Sequence, residues 1–249
     1  MRLTVLGGAG GFPPAGGACS GYLVEHHGFR LLVDPGYAIV PRLLEIVPAQ
    51  AIDAVLVSHG HPDHVADLNP LLRARLMQDH EALPLTAYAL PDALSPVLAL
   101  DQIRAMKGAC EVREFEAGEA FPIGPFGIES RLLPHSIPNA GLRISAGGMS
   151  ITYTGDAGPS DDLVDLAAGT DLLLAEATYV ESVPSGNAGV LNSALEVGRQ
   201  AHRSKAGRLM LTHLMPETDH EASRAAAART YAGWIDVATG GMVVDLSPT

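Results

Sequence analysis

Between Val57 and His64 the sequence reads Val-Ser-His-Gly-His-Pro-Asp-His, which places three imidazoles and one carboxylate within the six residues from His59 to His64. Histidine nitrogen and aspartate oxygen are the donors that zinc and similar divalent ions take, and a tight turn through Gly60 and Pro62 can aim alternate side chains at one point. A polar helix cap would account for Asp63 as an N-cap, yet it leaves His59, His61 and His64 without a purpose. Further along, Asp156 in Tyr153-Thr154-Gly155-Asp156 and His213 in Met210-Leu211-Thr212-His213 share one feature with His59: each follows a short apolar run. His135, after Leu132-Leu133-Pro134, reads on its own as a loop histidine. Polar side chains delivered at the ends of several strands can converge on one rim of a sandwich, and His59, His135, Asp156 and His213 are placed to do so.

The elements that must position them follow from hydrophobic spacing. Thr4–Leu6, Tyr22–Val24 and Arg30–Val33 are apolar runs bounded by Gly, His or Asp and read as strands joined by tight turns. Ala54–Val57 is a buried-strand pattern that ends at Ser58-His59, so the first histidines lie on the loop at a strand's carboxyl end. Val65, Leu68, Leu71, Leu72 and Leu76 recur at helical spacing and predict one helix from His64 to Met77. A strand at Pro84–Tyr88 and a helix from Asp92 to Leu100 with an acidic cap close the first half. Beyond Lys107, strands are expected near Val112–Phe115, Gly127–Leu133, Gly141–Ser145 and Ser150–Tyr153. Helices are then expected at Ser160–Ala167, Ser193–His202 and Glu221–Tyr231, with strands at Asp171–Ala175, Arg208–Leu211 and Met242–Leu246. Two β-rich halves with helices outside predict a sandwich of two sheets covered on both faces. No linker separates them, so residues 1–249 are expected to form a single domain.

The chain has 249 residues, 47% of them hydrophobic, which is enough for a full core. It has neither an uninterrupted apolar run of membrane-spanning length nor a leader pattern, so a cytoplasmic protein with no membrane role is expected. Cys19 and Cys110 are too few for a disulfide framework. A net charge of −12 argues against a generic nucleic-acid surface. The Gly7-Gly8-Ala9-Gly10-Gly11-Phe12 stretch matches neither a Walker loop nor a dinucleotide fingerprint and reads as a wide turn, with Phe12 a candidate for the substrate wall. His26, His27, His80, His202 and His220 have no partners at ligand spacing and are expected at the surface.

The pattern HxHxDH, then His, then Asp, then His, running from His59 to His213, resembles the metallo-β-lactamase superfamily. That resemblance implies an α+β fold, a four-layer αββα sandwich. It also implies that His59, His61 and His135 hold one divalent metal ion, that Asp63, His64 and His213 hold a second, and that Asp156 bridges them. Zinc is the usual ion, with manganese or iron in some members. The implied chemistry is hydrolysis by a hydroxide held between the metals, its pKa lowered toward neutrality. Asp63 is also the candidate catalytic residue, as a group that orients that hydroxide.

The branch follows from the neighbouring residues. Flavodiiron oxygen reductases carry Glu at the position of His61, and many β-lactamases carry Cys at that of Asp156. The stretches His135-Ser-Ile-Pro138-Asn-Ala-Gly141-Leu-Arg143, Thr154-Gly155-Asp156, Glu176-Ala177-Thr178 and Leu211-Thr212-His213 resemble the ribonuclease Z group, implying a phosphodiesterase, with Arg143 either beside the site or in a surface ion pair. Val190-Leu191-Asn192-Ser193 stands where that group's tRNA 3′-processing endonuclease has a further histidine, and its protruding tRNA arm has no counterpart. A small-molecule or nucleotide-type substrate is therefore expected, ahead of a lactone or thioester, with tRNA 3′ processing ranked last. Relatives that dimerise leave a homodimer open.

Overall fold

The computed structural model describes residues 1–79, 81–101, 106 and 108–248, so His80, expected at the surface, lies outside the described residues. Among the described residues fourteen strands form two seven-stranded sheets. The first runs, in spatial order, through β14 (Val243–Asp245), β1 (Arg2–Gly7), β2 (Gly21–His26), β3 (Phe29–Val33), β4 (Ala54–Leu56), β5 (Leu85–Ala89) and β6 (Cys110–Glu114). The second runs through β13 (Trp234–Val237), β12 (Arg208–Thr212), β11 (Leu172–Glu176), β10 (Met149–Tyr153), β9 (Asn139–Ala146), β8 (Phe126–Leu133) and β7 (Ala120–Ile123). Each sheet joins an antiparallel part to a parallel part, β3 to β6 in one and β10 to β13 in the other.

Strand alternation builds three apolar layers. Leu31, Val33, Ala54, Leu56, Leu172 and Leu174 point into the space between the sheets. Leu32 and Val55 point the other way, onto α1 (Ile39–Leu44), α3 (Leu68–Gln78) and α4 (Ser95–Leu98). Leu173, Ala175, Leu209 and Leu211 meet α5 (Asp161–Leu166), α6 (Ala194–Ser204) and α7 (His220–Ala228) on the far side. A strand buried on both faces has no polar face to show, which is why β11 reads as the continuous run Leu-Leu-Leu-Ala. The result is the expected metallo-β-lactamase fold, helices outside two packed sheets.

Helix starts on the second sheet's side carry side-chain caps. Ser160 accepts from the Leu163 N–H and Ser193 from the Glu196 N–H, while Asp219 accepts from Glu221 and Ala222. Three expectations need correction. The helix from His64 to Met77 is two pieces, α2 (Pro62–Val65) and α3, because the Asp67 carboxylate turns away to accept the Val40 N–H at the start of α1. The helix from Asp92 to Leu100 shortens to α4, since Asp92 sits at φ 61° and its own N–H donates to Glu114 instead of the side chain capping. The edge strands β7 and β13 were not expected: both are short, and one contains Pro122, which edge positions tolerate.

Candidate metal centre

Every residue of the expected constellation lies at one rim of the sandwich, on a loop or, for Asp63 and His64, in the short helix α2 into which the turn after β4 opens. The turn after β4 carries Ser58 to His64, the β8–β9 hairpin carries His135, and the ends of β10 and β12 carry Asp156 and His213. Two close approaches require glycine there. A Cβ on Gly36 would lie 1.9 Å from the Asp63 carbonyl oxygen, and one on Gly155, already at φ 56°, would lie 2.1 Å from Asn139 Oδ1. The sheets are tied at the same level, for Tyr153 Oη donates to Asp34 Oδ2 at 2.8 Å and Tyr22 Oη meets Thr212 Oγ1 at 2.5 Å.

The seven side chains converge as two groups of four that share Asp156. His59, His61, His135 and Asp156 form one, and Asp63, His64, Asp156 and His213 the other, with the donor atoms of each group within 4.8 Å of one another. His61 Nδ1 lies 3.1 Å from both His59 Nε2 and His135 Nε2. His213 Nε2 lies 3.1 Å from Asp63 Oδ2 and 3.2 Å from Asp156 Oδ2, and His64 Nε2 lies 3.2 Å from Asp156 Oδ1.

Hydrogen bonds on the outer ring nitrogens decide what the inner ones present. His135 Nδ1 faces the Val190 carbonyl oxygen at 2.9 Å, which can only accept, so Nδ1 carries the proton and Nε2 is bare. Ser58 Oγ donates to Asp34 Oδ2 at 2.6 Å, so it accepts from His59 Nδ1 at 3.0 Å, and His59 Nε2 is bare as well. Thr178 Oγ1 donates to the His213 carbonyl and receives His213 Nδ1 in the same way. His64 Nδ1 lies 2.7 Å from Asp34 Oδ2. These outer partners are what a ligating histidine needs to hold its tautomer and ring orientation. A third grouping, Asp34 with His59 and His64, is satisfied by these same hydrogen bonds and calls for no cation.

The electrostatics ask for positive charge at the centre. Burial pushes the Asp156 and Asp63 carboxyls upward, but His213 and His64 outweigh it and hold both below the usual range. Burial likewise lowers His64 and His213, and the carboxylates around them, Asp156 first, raise both above the ordinary imidazole range. His59 and His61 are pushed down, chiefly by burial. His64 Nε2 and Asp156 Oδ1 are buried without a hydrogen-bond partner. Buried polar atoms are rarely left so, and a cation between them would satisfy both. The donor set, imidazole and carboxylate with fixed outer partners, fits divalent ions of the zinc kind.

Several supporting residues carried no signal of their own in the sequence. Asp34, fully buried, accepts from Ser58 N and Oγ, Tyr153 Oη and His64 Nδ1; only its place at the end of β3 marked it. Glu176, matched as part of a motif, accepts the N–H groups of Ala157, Thr178 and Asn192 and so ties three rim loops together. Burial, with the charge of Asp156 added, pushes its carboxyl up to about 7. The glycine-rich turn serves the centre directly, since Gly11 N donates to Asp63 Oδ2 at 2.8 Å and a Cβ on Gly10 would strike the His213 ring at 2.7 Å. Phe12 is half exposed and is not among the described residues that line the central cavity. Arg143 is not beside the site: its guanidinium donates to the Leu166 and Ala168 carbonyls at the end of α5. His27, His202 and His220 are exposed as expected, and His26 is partly so.

Comparison with known proteins agrees with this geometry. Residues 29–214 match the family model of the beta-lactamase superfamily domain. The chain is 34% identical to the probable metallo-hydrolase YhfI of Bacillus subtilis over 98% of its length and 99% of the relative's. It is 28% identical to a ribonuclease Z of Mycobacterium bovis over 100% of its length and 99% of that protein's. The crystal structure of the metallo-beta-lactamase fold protein YhfI from Bacillus subtilis superposes with a TM-score of 0.89 at 33% identity, covering 98% of both chains.

Proposed function

This chain belongs to the beta-lactamase superfamily, and from that premise we propose that it is a hydrolase dependent on two divalent metal ions, acting on a small phosphodiester. The observation that carries the reading is the pair of four-residue groups meeting at Asp156, with the bare histidine nitrogens turned inward. His59, His61 and His135 would hold one ion, Asp63, His64 and His213 the other, and Asp156 would reach both. Zinc is the ion we expect, with manganese and iron as the alternatives. Bound there, the cations supply a water acidified toward neutrality and positive charge for the oxygens of the attacked group. Asp63 lines the cavity with one oxygen already held by Gly11 N–H, and we assign it the orienting of the attacking water.

The cavity over the centre has a volume of about 570 Å³, room for a small molecule. Val190, Leu191 and Met215 give it an apolar flank and Glu217 a carboxylate at the mouth; among the described lining residues none is Lys or Arg. A folded RNA would bring many phosphates to a chain of net charge −12, at a cavity whose described lining offers no Lys or Arg to meet them. A nucleotide-sized diester needs only the centre itself. The apolar flank is what favours the second reading, hydrolysis of a lactone or thioester, and tRNA 3′ processing stands last. Cys19 and Cys110 are unpaired, in keeping with the cytoplasm, where we place the protein.

Metal-loaded protein assayed against bis-p-nitrophenyl phosphate, a cyclic nucleotide, lactones, thioesters and precursor tRNA, each with a chelator control, tests the proposal. Chelator-sensitive cleavage of the small diesters is expected. Activity confined to carbonyl esters would replace it with the second reading, and efficient cleavage of precursor tRNA would overturn the substrate class.

A further inference from the structure

The centre accounts for the attacking water but not for the alcohol that must leave. When a diester is hydrolysed, the new bond forms between water oxygen and phosphorus, and the electron pair of the breaking P–O bond goes to the departing oxygen, which takes up a proton. The donor has to line the cavity and have a hydrogen free. Among the described lining residues the uncharged donors are Ser136, Thr178, Tyr179 and Asn187. Thr178 is committed on both sides to His213, and Ser136 Oγ lies 3.4 Å from His135 Nε2, one of the inward-facing nitrogens. Asn187 Nδ2 donates to the Tyr179 hydroxyl oxygen at 2.6 Å. That bond occupies a lone pair on the tyrosine oxygen and leaves its hydrogen undirected; among the described residues the hydroxyl donates to none.

Resting on the phosphodiester reading, we propose that Tyr179 is the catalytic group that gives its hydroxyl proton to the leaving oxygen, and that Asn187 is its positioning residue. Accepting a bond from the amide stabilises the phenolate that forms, and the phenolate recovers the proton that the attacking water gives up as its oxygen bonds to phosphorus, so that diester and water become monoester and alcohol with nothing left over. The backbone around Tyr179 is fixed: its N–H donates to the Asn192 carbonyl at 3.2 Å and its own carbonyl accepts the Ala194 N–H at 2.7 Å. Asn187 is fixed too, its carbonyl accepting both Val190 and Leu191 N–H at 3.2 Å. The same short loop then delivers the Val190 carbonyl to His135 Nδ1 at 2.9 Å. One loop thus orients both an inward-facing histidine and the hydroxyl of a tyrosine that lines the same cavity, which sets the proton donor at a constant place relative to the centre.

The test uses two diesters that differ in their need for a proton. p-Nitrophenolate leaves unaided, whereas the ribose hydroxyl of a 2′,3′-cyclic nucleotide does not. With zinc-loaded Tyr179→Phe, turnover of the cyclic nucleotide is expected to fall about 10²–10⁴-fold while turnover of bis-p-nitrophenyl phosphate stays within about threefold. Asn187→Ala is expected to show a smaller loss with the same selectivity. Apart from turnover, calorimetric titration with inorganic phosphate is expected to show about fivefold to tenfold weaker binding to Tyr179→Phe at unchanged zinc content. Equal losses on both esters would reduce Tyr179 to a structural part, and no loss on the cyclic nucleotide would refute the assignment. A wild-type protein inert toward both esters would instead sink the phosphodiester reading, and this assignment with it.

Discussion

Asp63 receives the Gly11 N–H at 2.8 Å and faces His213 Nε2 across 3.1 Å, so one carboxylate is held between the glycine-rich turn and an inward-facing histidine. Asp63→Asn keeps an oxygen for Gly11 but removes the charge that a cation and an oriented water require. The variant is expected to keep its fold by circular dichroism and to lose about 10²–10⁴-fold in turnover; full turnover at full metal content would show Asp63 to be dispensable. Asp34 acts one step further out. It accepts four hydrogen bonds with no exposed surface, and an amide in its place can accept through one atom only. Competitive chelator titration of Asp34→Asn should therefore give metal affinity about 10–100-fold weaker than wild type. His59, His61, Asp63 and His64 were legible because imidazole and carboxylate crowded after an apolar strand have little other use, and Asp156 and His213 shared that strand-end placement; His135, a loop histidine on its own, was drawn in by the family resemblance. Asp34 and Thr178 were not legible in that way, since a buried acceptor or hydroxyl looks like any strand-end residue. The Val190 contribution is a backbone carbonyl, which no side-chain pattern can announce.

Elements put these residues on one rim because the parallel strands of each sheet end there, and the loops after β3, β4, β10, β11 and β12 all open the same way. Their mutual approach leaves no room at two glycines. Gly36→Ala would press a methyl into the Asp63 carbonyl at 1.9 Å, and relief must come from moving the turn that carries His59 to His64. We expect a cost of about 1–3 kcal/mol, read as a lowered Tm, together with reduced metal content; a variant equal to wild type in both would mean that the turn is not held as described. Strand positions other than the edge strands β7 and β13 were legible from apolar runs, and so were the helices α5 and α6. The break between α2 and α3 was not, since Val65, Leu68, Leu71 and Leu72 all pack into one apolar cluster and their periodicity runs on across it. The break belongs to Asp67, whose side chain serves α1 instead.

At the scale of the molecule, the two sheets share one apolar layer and are further joined near the centre by Tyr153 to Asp34 and Tyr22 to Thr212. We propose that the chain folds as a single domain, and so expect one cooperative thermal transition whose midpoint rises with added zinc and falls with chelator, because ions that bind only the folded state stabilise it by mass action. Two separate transitions, or a midpoint indifferent to metal, would contradict this. Layering was legible at this scale, since two β-rich halves with amphipathic helices leave few other ways to bury their faces. The acidic balance of the chain argues against a generic nucleic-acid surface, which is the ground on which a small substrate was expected; the described residues that line the cavity include no Lys or Arg. The most direct measurement is a zinc titration of chelator-stripped, untagged protein, followed by calorimetry and checked by elemental analysis. Two zinc ions per chain are predicted for the wild type, and one for His135→Ala; fewer than two in the wild type, or two retained in the variant, would contradict the assignment of these seven residues to a two-metal centre.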